Sequence, residues 1–253
     1  MKIEKFDSLE STNKYCEALD LTQVEDFTCY WAMEQTAGIG QRGNHWESAP
    51  GQNLTFSLVL HPTFLPANRQ FKLTEALSLA LVDFLSPFTF HLSPFVKWPN
   101  DIYVRMSNTT EGSGRHPYGK KICGTLVSTR LQSNLIASAV CGIGLNINQT
   151  NFPDWVPNPT SLALLTGKQY ELEPLLRQLL GCIKKRYDDL ASGTDPEEEY
   201  LSRLLTLGSR ARYIYNEEEI TATITGVDPH GRLLLVTDDG HSLCCGMKEI
   251  TLL

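Results

Sequence analysis

Apolar positions recur along the chain with two different periods, and the period changes from segment to segment. Residues 27–33 form an almost continuous apolar and aromatic run, the composition of a buried strand. Between 53 and 61, Leu54, Phe56, Leu58 and Leu60 alternate with other residues, which predicts a strand with one buried face. Over 72–85, Leu73, Ala76, Leu77, Ala80, Leu81 and Leu85 take helical spacing and predict a helix burying a single stripe. A short helix is expected over 11–19, with Tyr15, Ala18 and Leu19 on one side and Ser8 or Ser11 as cap. Two extended pieces within 94–105 hinge at Pro99-Asn100-Asp101, and the polar, glycine-bearing segment 107–118 reads as a mobile hairpin tip or loop. Strands are expected over 121–130 and 135–147, around the turn Gln132-Ser133-Asn134. Between 160 and 205 the texture is helical, with Leu172, Leu175, Leu176, Leu179, Leu180, Ile183, Tyr187 and Leu190 in register behind Pro174 in the first turn. From Gly208 onward, short strands over 210–215, 218–227, 232–237 and 242–247 alternate with turn residues. The division expected is therefore 1–207 and 208–253. The second part is a small β-barrel-like unit, of a size that rarely stands without packing on a neighbour.

Composition narrows the classes without choosing among them. The chain has 253 residues, 42% apolar and 20% charged, enough for a sizeable core. No stretch approaches the roughly 18 uninterrupted apolar residues of a membrane span, and 1–7 lack the apolar core of a signal peptide, so a cytoplasmic protein is expected. The net charge of −7 argues against a general nucleic-acid binder. Seven scattered cysteines without a Cys-x-x-Cys pair read as reduced thiols, and six histidines show no metal-ligand spacing.

Residues 38–43, Gly-Ile-Gly-Gln-Arg-Gly, satisfy the glycine pattern of a dinucleotide loop. That reading requires a helix at the third glycine and an acidic residue about 20 positions on. Instead Pro50 and Gly51 follow as loop punctuation, and 61–66 hold no acid. The glycines serve other chemistry.

Polar clusters sit at strand ends and turns in the first 150 residues. Ser11-Thr12-Asn13 is a hydrogen-bonding trio at a helix start, or simply a cap. The 34–46 segment joins glycines able to form an anion-binding nest to Arg42 and the flat face of Trp46, or is a tight turn with a surface arginine. Lys97-Trp98-Pro99-Asn100-Asp101 sets a cation, a ring and an amide–acid pair within five residues, suited to a nucleotide and its divalent ion, or is a strand ending in a turn. Gly119 to Gly124 brings lysines into an apolar strand, which is costly unless one meets an anion and unremarkable if it is solvated. Gly142 to Asn148, Gly-Ile-Gly-Leu-Asn-Ile-Asn, follows in the next strand.

Taken together and in this order, Ser-Thr-Asn, Gln-Thr-x-Gly-x-Gly-x-x-Gly-Asn-x-Trp, Lys-Trp-Pro-Asn-Asp, Gly-Lys-Lys-Ile-x-Gly and Gly-Ile-Gly-x-Asn-x-Asn resemble the biotin–protein ligases over the whole chain. The resemblance implies an α+β fold: a catalytic domain like the class II aminoacyl-tRNA synthetases and biotin synthetases, followed by an SH3-like β-barrel. It implies synthesis of biotinyl-5′-AMP from biotin and ATP with Mg²⁺, then transfer to a lysine of a carboxylase's biotin carboxyl carrier domain, by a monomer or homodimer. On this resemblance Ser11, Thr12, Asn13 and Gln35 hold the biotin head, with Gly38, Ile39, Gly40, Gln41 and Gly124 along the rest of its site. Lys121 pairs with the biotin carboxylate and the α-phosphate. Trp46 covers the adenine. Asn53, Lys97, Asn100 and Asn146, with Arg42, serve the nucleotide. Asp101 is the metal candidate and a candidate proton acceptor, and Lys121, Arg42 and Asp101 carry the catalysis.

The chain departs from the family where the usual loop reads Gly-Arg-Gly-Arg; Ile39 and Gln41 stand at the two basic positions, leaving Arg42 nearby. Ser11 arrives almost at once, so no N-terminal winged helix and no DNA binding are expected. Three rivals remain: a lipoate–protein ligase, a non-catalytic carrier-docking or biotin-sequestering module, and the disfavoured NAD oxidoreductase.

Overall fold

A computed structural model describes residues 1–89, 93–105, 118–247 and 249–253. Its main sheet has seven strands: β1 (Ile3–Leu9), β2 (Thr28–Gln35), β3 (Leu54–Leu60), β4 (Pro94–Lys97), β5 (Asp101–Val104), β6 (Lys120–Gln132) and β7 (Leu135–Leu145). They lie in the order β1-β2-β3-β7-β6-β5-β4, with β1 parallel to β2 and every other pair antiparallel. Among the described residues, five α-helices accompany the sheet: α1 (Thr12–Glu17), α2 (Phe71–Thr89), α3 (Leu162–Thr166), α4 (Leu172–Ala191) and α5 (Glu197–Ser202). The leucines of α4 at helical spacing bury Leu176, Leu179 and Leu180 against the sheet and α2, as their spacing predicted.

β3 corrects the one-faced reading, because all seven of its residues are buried. Leu54, Phe56, Leu58 and Leu60 join the α2–α4 core, while Val59 packs with Cys16 of α1, Leu21 and Tyr30 on the other side. A strand with helices on both faces buries its polar positions too, so Thr55 and Ser57 lie at 1% and 0% exposure. α2 also runs past Leu85 to Thr89 with Pro87 inside its last turn. A proline there forfeits a single backbone bond and truncates little. The expected loop over 107–118 lies, apart from Tyr118, outside the described residues.

A second, all-antiparallel sheet follows: β8 (Arg210–Tyr215), β9 (Glu218–Val227), β10 (Leu233–Thr237), β11 (Ser242–Cys245) and β12 (Ile250–Leu252), in the order β11-β10-β9-β8-β12. β12, three residues long and paired with β8, is too short to leave a periodic signal. Tyr213, Ile224, Leu233 and Ile250 join the same buried cluster as α2 and the main sheet, so the small unit shares its neighbour's core. No helix among the described residues is long and apolar enough to cross a membrane.

Candidate active site

The site lies on the face of the main sheet that α1 covers. Ser11 caps α1, its hydroxyl accepting from the Lys14 amide, and this sets Thr12 and Asn13 on the first turn facing the sheet. Gln35, at the end of β2, accepts from the Thr12 amide (2.8 Å) and hydroxyl (3.1 Å) through Oε1. The Ser57 hydroxyl lies 2.8 Å from Thr12 Oγ1 and 2.6 Å from Asn13 Oδ1. Ser11, Thr12 and Asn13 are all buried, and Asn13 Nδ2 is enclosed without a partner. Such an end offers donors and acceptors to a ligand that brings both.

Gly142 and Gly144 explain their motif by close approach. A Cβ on Gly142 would stand 2.0 Å from Asn13 Oδ1, and one on Gly144 2.2 Å from Trp46 Cε2. Two side chains therefore lie flat on β7 where only hydrogen atoms fit beneath them. Between these glycines and the opposite wall is a cavity of about 150 Å³. Ser11, Thr12, Asn13, Gln35, Ile39, Gly40, Gln41, Trp46, Asn100, Asp101, Lys121 and Gly124 all line it. Leu126, which shares a face with Ser57 and Gly142, adds apolar contact along its floor.

Lys121 and Asp101 form an ion pair at 2.8 Å, each about a quarter exposed, and the Lys121 ammonium stands 5.4 Å from the Trp46 ring centre. Their meeting depends on an irregularity in the β5–β6 ladder. Ile102 pairs with Cys123 but Tyr103 with Lys121, so Ile122 is a bulged extra residue. A bulge re-aims the side chains beside it. Here Ile122 O accepts from the Asn146 amide (2.9 Å), fastening the lysine-bearing strand to the end of β7.

The glycine loop differs from the nest expected. Of its three glycines only Gly43 has a positive φ, at 80°. The Gly40 amide donates to Asn44 O (2.6 Å), the Asn44 amide to Gln41 O (3.2 Å) and the Trp46 amide to Gly38 O (2.9 Å). These amides close the loop on itself, so they do not form an anion-binding concavity. Gly38 sits outside the cavity lining, beneath the loop, where a Cβ would come 2.6 Å from Trp46 O. Gln41 Nε2 lies 2.8 Å from Met247 Sδ, which ties the loop to the small sheet. The Arg42 side chain lies outside the described part of the structure.

Three other expected residues are placed apart from this cavity. Asn53 is buried beneath the loop, donating to Gln149 Oε1 (2.6 Å) and accepting from the Ile147 amide (2.9 Å), a buttress for both segments. Lys97 faces a second cavity, about 260 Å³, between the main sheet and the small one. It stands 5.4 Å from the Tyr103 ring centre, and burial holds its pKa below the ordinary lysine value, with Asp101 opposing. Asn146 lines a third cavity of about 410 Å³, walled by Phe152, Trp155 and Val156, which meets the first at Trp46 and Lys121. Its Nδ2 donates to Thr160 O (2.9 Å), and its Oδ1 is buried without a partner. Sequence reading missed Ser57, one of two hydroxyls in a strand of apolar residues, and Gln149, which carried no signal.

The "Biotin/lipoate A/B protein ligase family" matches residues 5–146, and the "Biotin protein ligase C terminal domain" matches 206–250. The Bifunctional ligase/repressor BirA of Bacillus subtilis is 29% identical over 239 residues, covering 92% of this chain and 69% of that protein. The Biotin--[acetyl-CoA-carboxylase] ligase of Mycobacterium tuberculosis is 27% identical over 211 residues, covering 81% of this chain and 71% of its own. The structure of the biotin protein ligase from Aquifex aeolicus in complex with biotin and ATP superimposes with a TM-score of 0.77 at 25% identity, covering 100% of this chain and 98% of that one.

Proposed function

The chain belongs to the biotin/lipoate A/B protein ligase family, and from that premise we propose how its own residues divide a two-step ligation of biotin. In the first step the biotin carboxylate attacks the α-phosphorus of ATP, and the bond to the β-phosphate oxygen breaks to release pyrophosphate. In the second a lysine amine of a carboxylase's carrier domain attacks the acyl carbon, AMP leaves, and the amine's proton passes to a base.

The choice of biotin over lipoate rests on the closed end of the 150 Å³ cavity. Thr12, Gln35, Ser57 and the unpartnered Asn13 Nδ2 match a cyclic urea, which has both N–H donors and a carbonyl. A dithiolane ring would leave that buried amide unsatisfied, at a cost of about 1–3 kcal/mol.

At the open end, Lys121 offsets the repulsion between an anionic carboxylate and a polyphosphate. Asp101, 2.8 Å from Lys121, holds its ammonium in place and is the base for the incoming lysine. The apolar cavity beside Trp46 takes the adenine, with Asn146 Oδ1 as acceptor for a nucleotide donor. Lys97 extends toward the phosphates from the second cavity, while Asn100, its amide committed to Thr125 O, shapes the turn beside them. Among the described residues no three His, Cys, Asp or Glu side chains gather to hold a metal. Asp101, a carboxylate at the open end of the first cavity, fits a Mg²⁺ held mainly by nucleotide phosphates. That ion would supply charge compensation on the phosphates.

Biotin-dependent ATP–pyrophosphate exchange tests the reading, with lipoate as control and Lys121→Ala alongside. Exchange with biotin alone, abolished in Lys121→Ala, is the expected result. Binding of biotin without exchange would instead favour a docking or sequestering module, and exchange with lipoate would move the chain to the other branch of the family.

A further inference from the structure

The turn that delivers Asn100 and Asp101 lies between the end of β4 and the start of β5, so the sheet does not hold its apex. On the Asn100 side the backbone is stitched to β6. Asn100 Nδ2 donates to Thr125 O, and the Thr125 amide donates to Asn100 O at 3.2 Å. On the Pro99 side the grip comes from outside the site. Tyr200, on α5, is fully buried, and its hydroxyl donates to Pro99 O at 2.8 Å. Tyr200 lines none of the three cavities around the site.

The Tyr200 ring is itself constrained. It stands edge-on to Phe71 of α2, with ring centres 5.7 Å apart and planes at 88°. Phe71 in turn abuts Gly231 in the β9–β10 turn, where a Cβ would come 2.3 Å from Phe71 Cδ2. The carbonyl of that same Gly231 accepts from Trp98 Nε1 at 3.0 Å. The Trp98–Pro99 unit is therefore held at its indole by the small sheet and at its carbonyl by α5.

α5 is held in turn by ionic ties at its start and middle. Lys72 of α2 reaches Asp195 (2.8 Å) and Glu197 (2.6 Å), and Arg186 of α4 bridges Glu199 and Asp83 (2.6 Å each). Beyond the helix, the Val96 amide donates to Arg203 O (2.8 Å) and the Leu205 amide to Val96 O (2.7 Å), so the chain after α5 runs along β4 itself. A phenol placed by two helices and the strand preceding the turn has one acceptor, the carbonyl two residues before Asp101.

We propose that Tyr200 is a positioning residue: through Pro99 O it sets where Asp101 meets Lys121, touching no substrate. The proposal rests on the ligase reading for its catalytic consequence, though not for the geometry. Removing the hydroxyl leaves a buried carbonyl unpaired, and the turn relaxes to find another donor. Asp101 then loses its register with Lys121. The end that recognises biotin, built from α1, β2 and β3, stays as it was.

The test is Tyr200→Phe, which keeps the ring and its edge contact with Phe71. Two readouts are taken at a temperature well below the variant's thermal midpoint. The first is acetylation of Lys121 by an amine-reactive ester, followed by peptide mass spectrometry, with exposed Lys184 and Lys185 as references. The second is the pyrophosphate-exchange rate split into kcat and KM. Expected are several-fold faster labelling of Lys121 with unchanged reference lysines, a kcat lowered about tenfold, and an unchanged KM for biotin. Lys121 labelling at the wild-type rate overturns the positioning role whatever the kinetics, because a merely structural tyrosine would lower the midpoint and leave the pair intact. Faster labelling in a protein whose wild type shows no exchange would sink the ligase reading and leave the positioning role standing. If Tyr200→Phe fails to fold, Phe71→Leu, which removes the ring that seats the Tyr200 phenol against Pro99 O, is judged by the same Lys121 labelling.

Discussion

Gly142→Ala isolates the close approach that shapes the recognition end of the site. The added Cβ would meet Asn13 Oδ1 at 2.0 Å, Asn13 Cγ at 2.8 Å and Asn13 Nδ2 at 3.1 Å, so something must move. The strand cannot. Gly142 is paired with Ser57 on β3 and Leu126 on β6, inside two continuous ladders. The side chain of Asn13 yields instead, losing its contact with the Ser57 hydroxyl (2.6 Å) and the place from which Nδ2 meets a ligand. One hydrogen bond contributes about 1 kcal/mol, and a buried polar group left unpaired costs about 1–3 kcal/mol more. The sum, about 2–4 kcal/mol, corresponds to biotin binding weakened about 30- to 1,000-fold. Isothermal titration of biotin into the purified variant reads this directly. KM for ATP should stay near the wild-type value, because Trp46 rests on Gly144 and not on Gly142. A biotin dissociation constant within threefold of wild type, in a variant with an unchanged thermal midpoint, would refute the reasoning, since it would mean that Asn13 contributes neither a contact nor an obstacle.

Two further outcomes follow from charge. With Ile39 and Gln41 where the family carries basic residues, and Gln41 turned toward Met247, the adenylate is held by fewer cations; labelled biotinyl-AMP should escape during gel filtration, and complete retention would contradict this. Burial raises the Glu75 carboxyl to about 7 despite Lys72 at 3.2 Å. The folded state therefore binds this proton more tightly than the unfolded one, so its contribution to stability is full below the ordinary value of 4.5 and is lost as pH rises through about 7. Wild type should lose on the order of 2 kcal/mol between pH 5 and 7 that Glu75→Gln does not, measured by denaturant titration at each pH; parallel curves for the two proteins would dismiss the effect.

Much of the fold was legible because period and burial agree where one face meets the core. α4 and the strands of the small sheet follow their patterns closely. β3 did not, because α1 covers its second face, and that is a fact about where another segment packs. The same event hid Ser57: alternation assigned it to solvent, and packing placed it between Thr12 and Asn13.

The motifs of the site were legible as residue types, since glycine, lysine and a Pro-Asn-Asp turn carry their chemistry in their own covalent structure. The sequence by itself determined that a hydrogen-bonding trio, a glycine loop and a lysine-bearing strand exist, and in which order. The tertiary structure decided which of them touch. It took a bulge at Ile122 to aim Lys121 at Asp101, two flat contacts on β7 to make the glycines obligatory, and a buried phenol on α5 to steady the turn. Contacts of that kind join residues separated by tens of positions in the chain. Neither period nor spacing encodes them, because each depends on the simultaneous packing of several elements around one cavity.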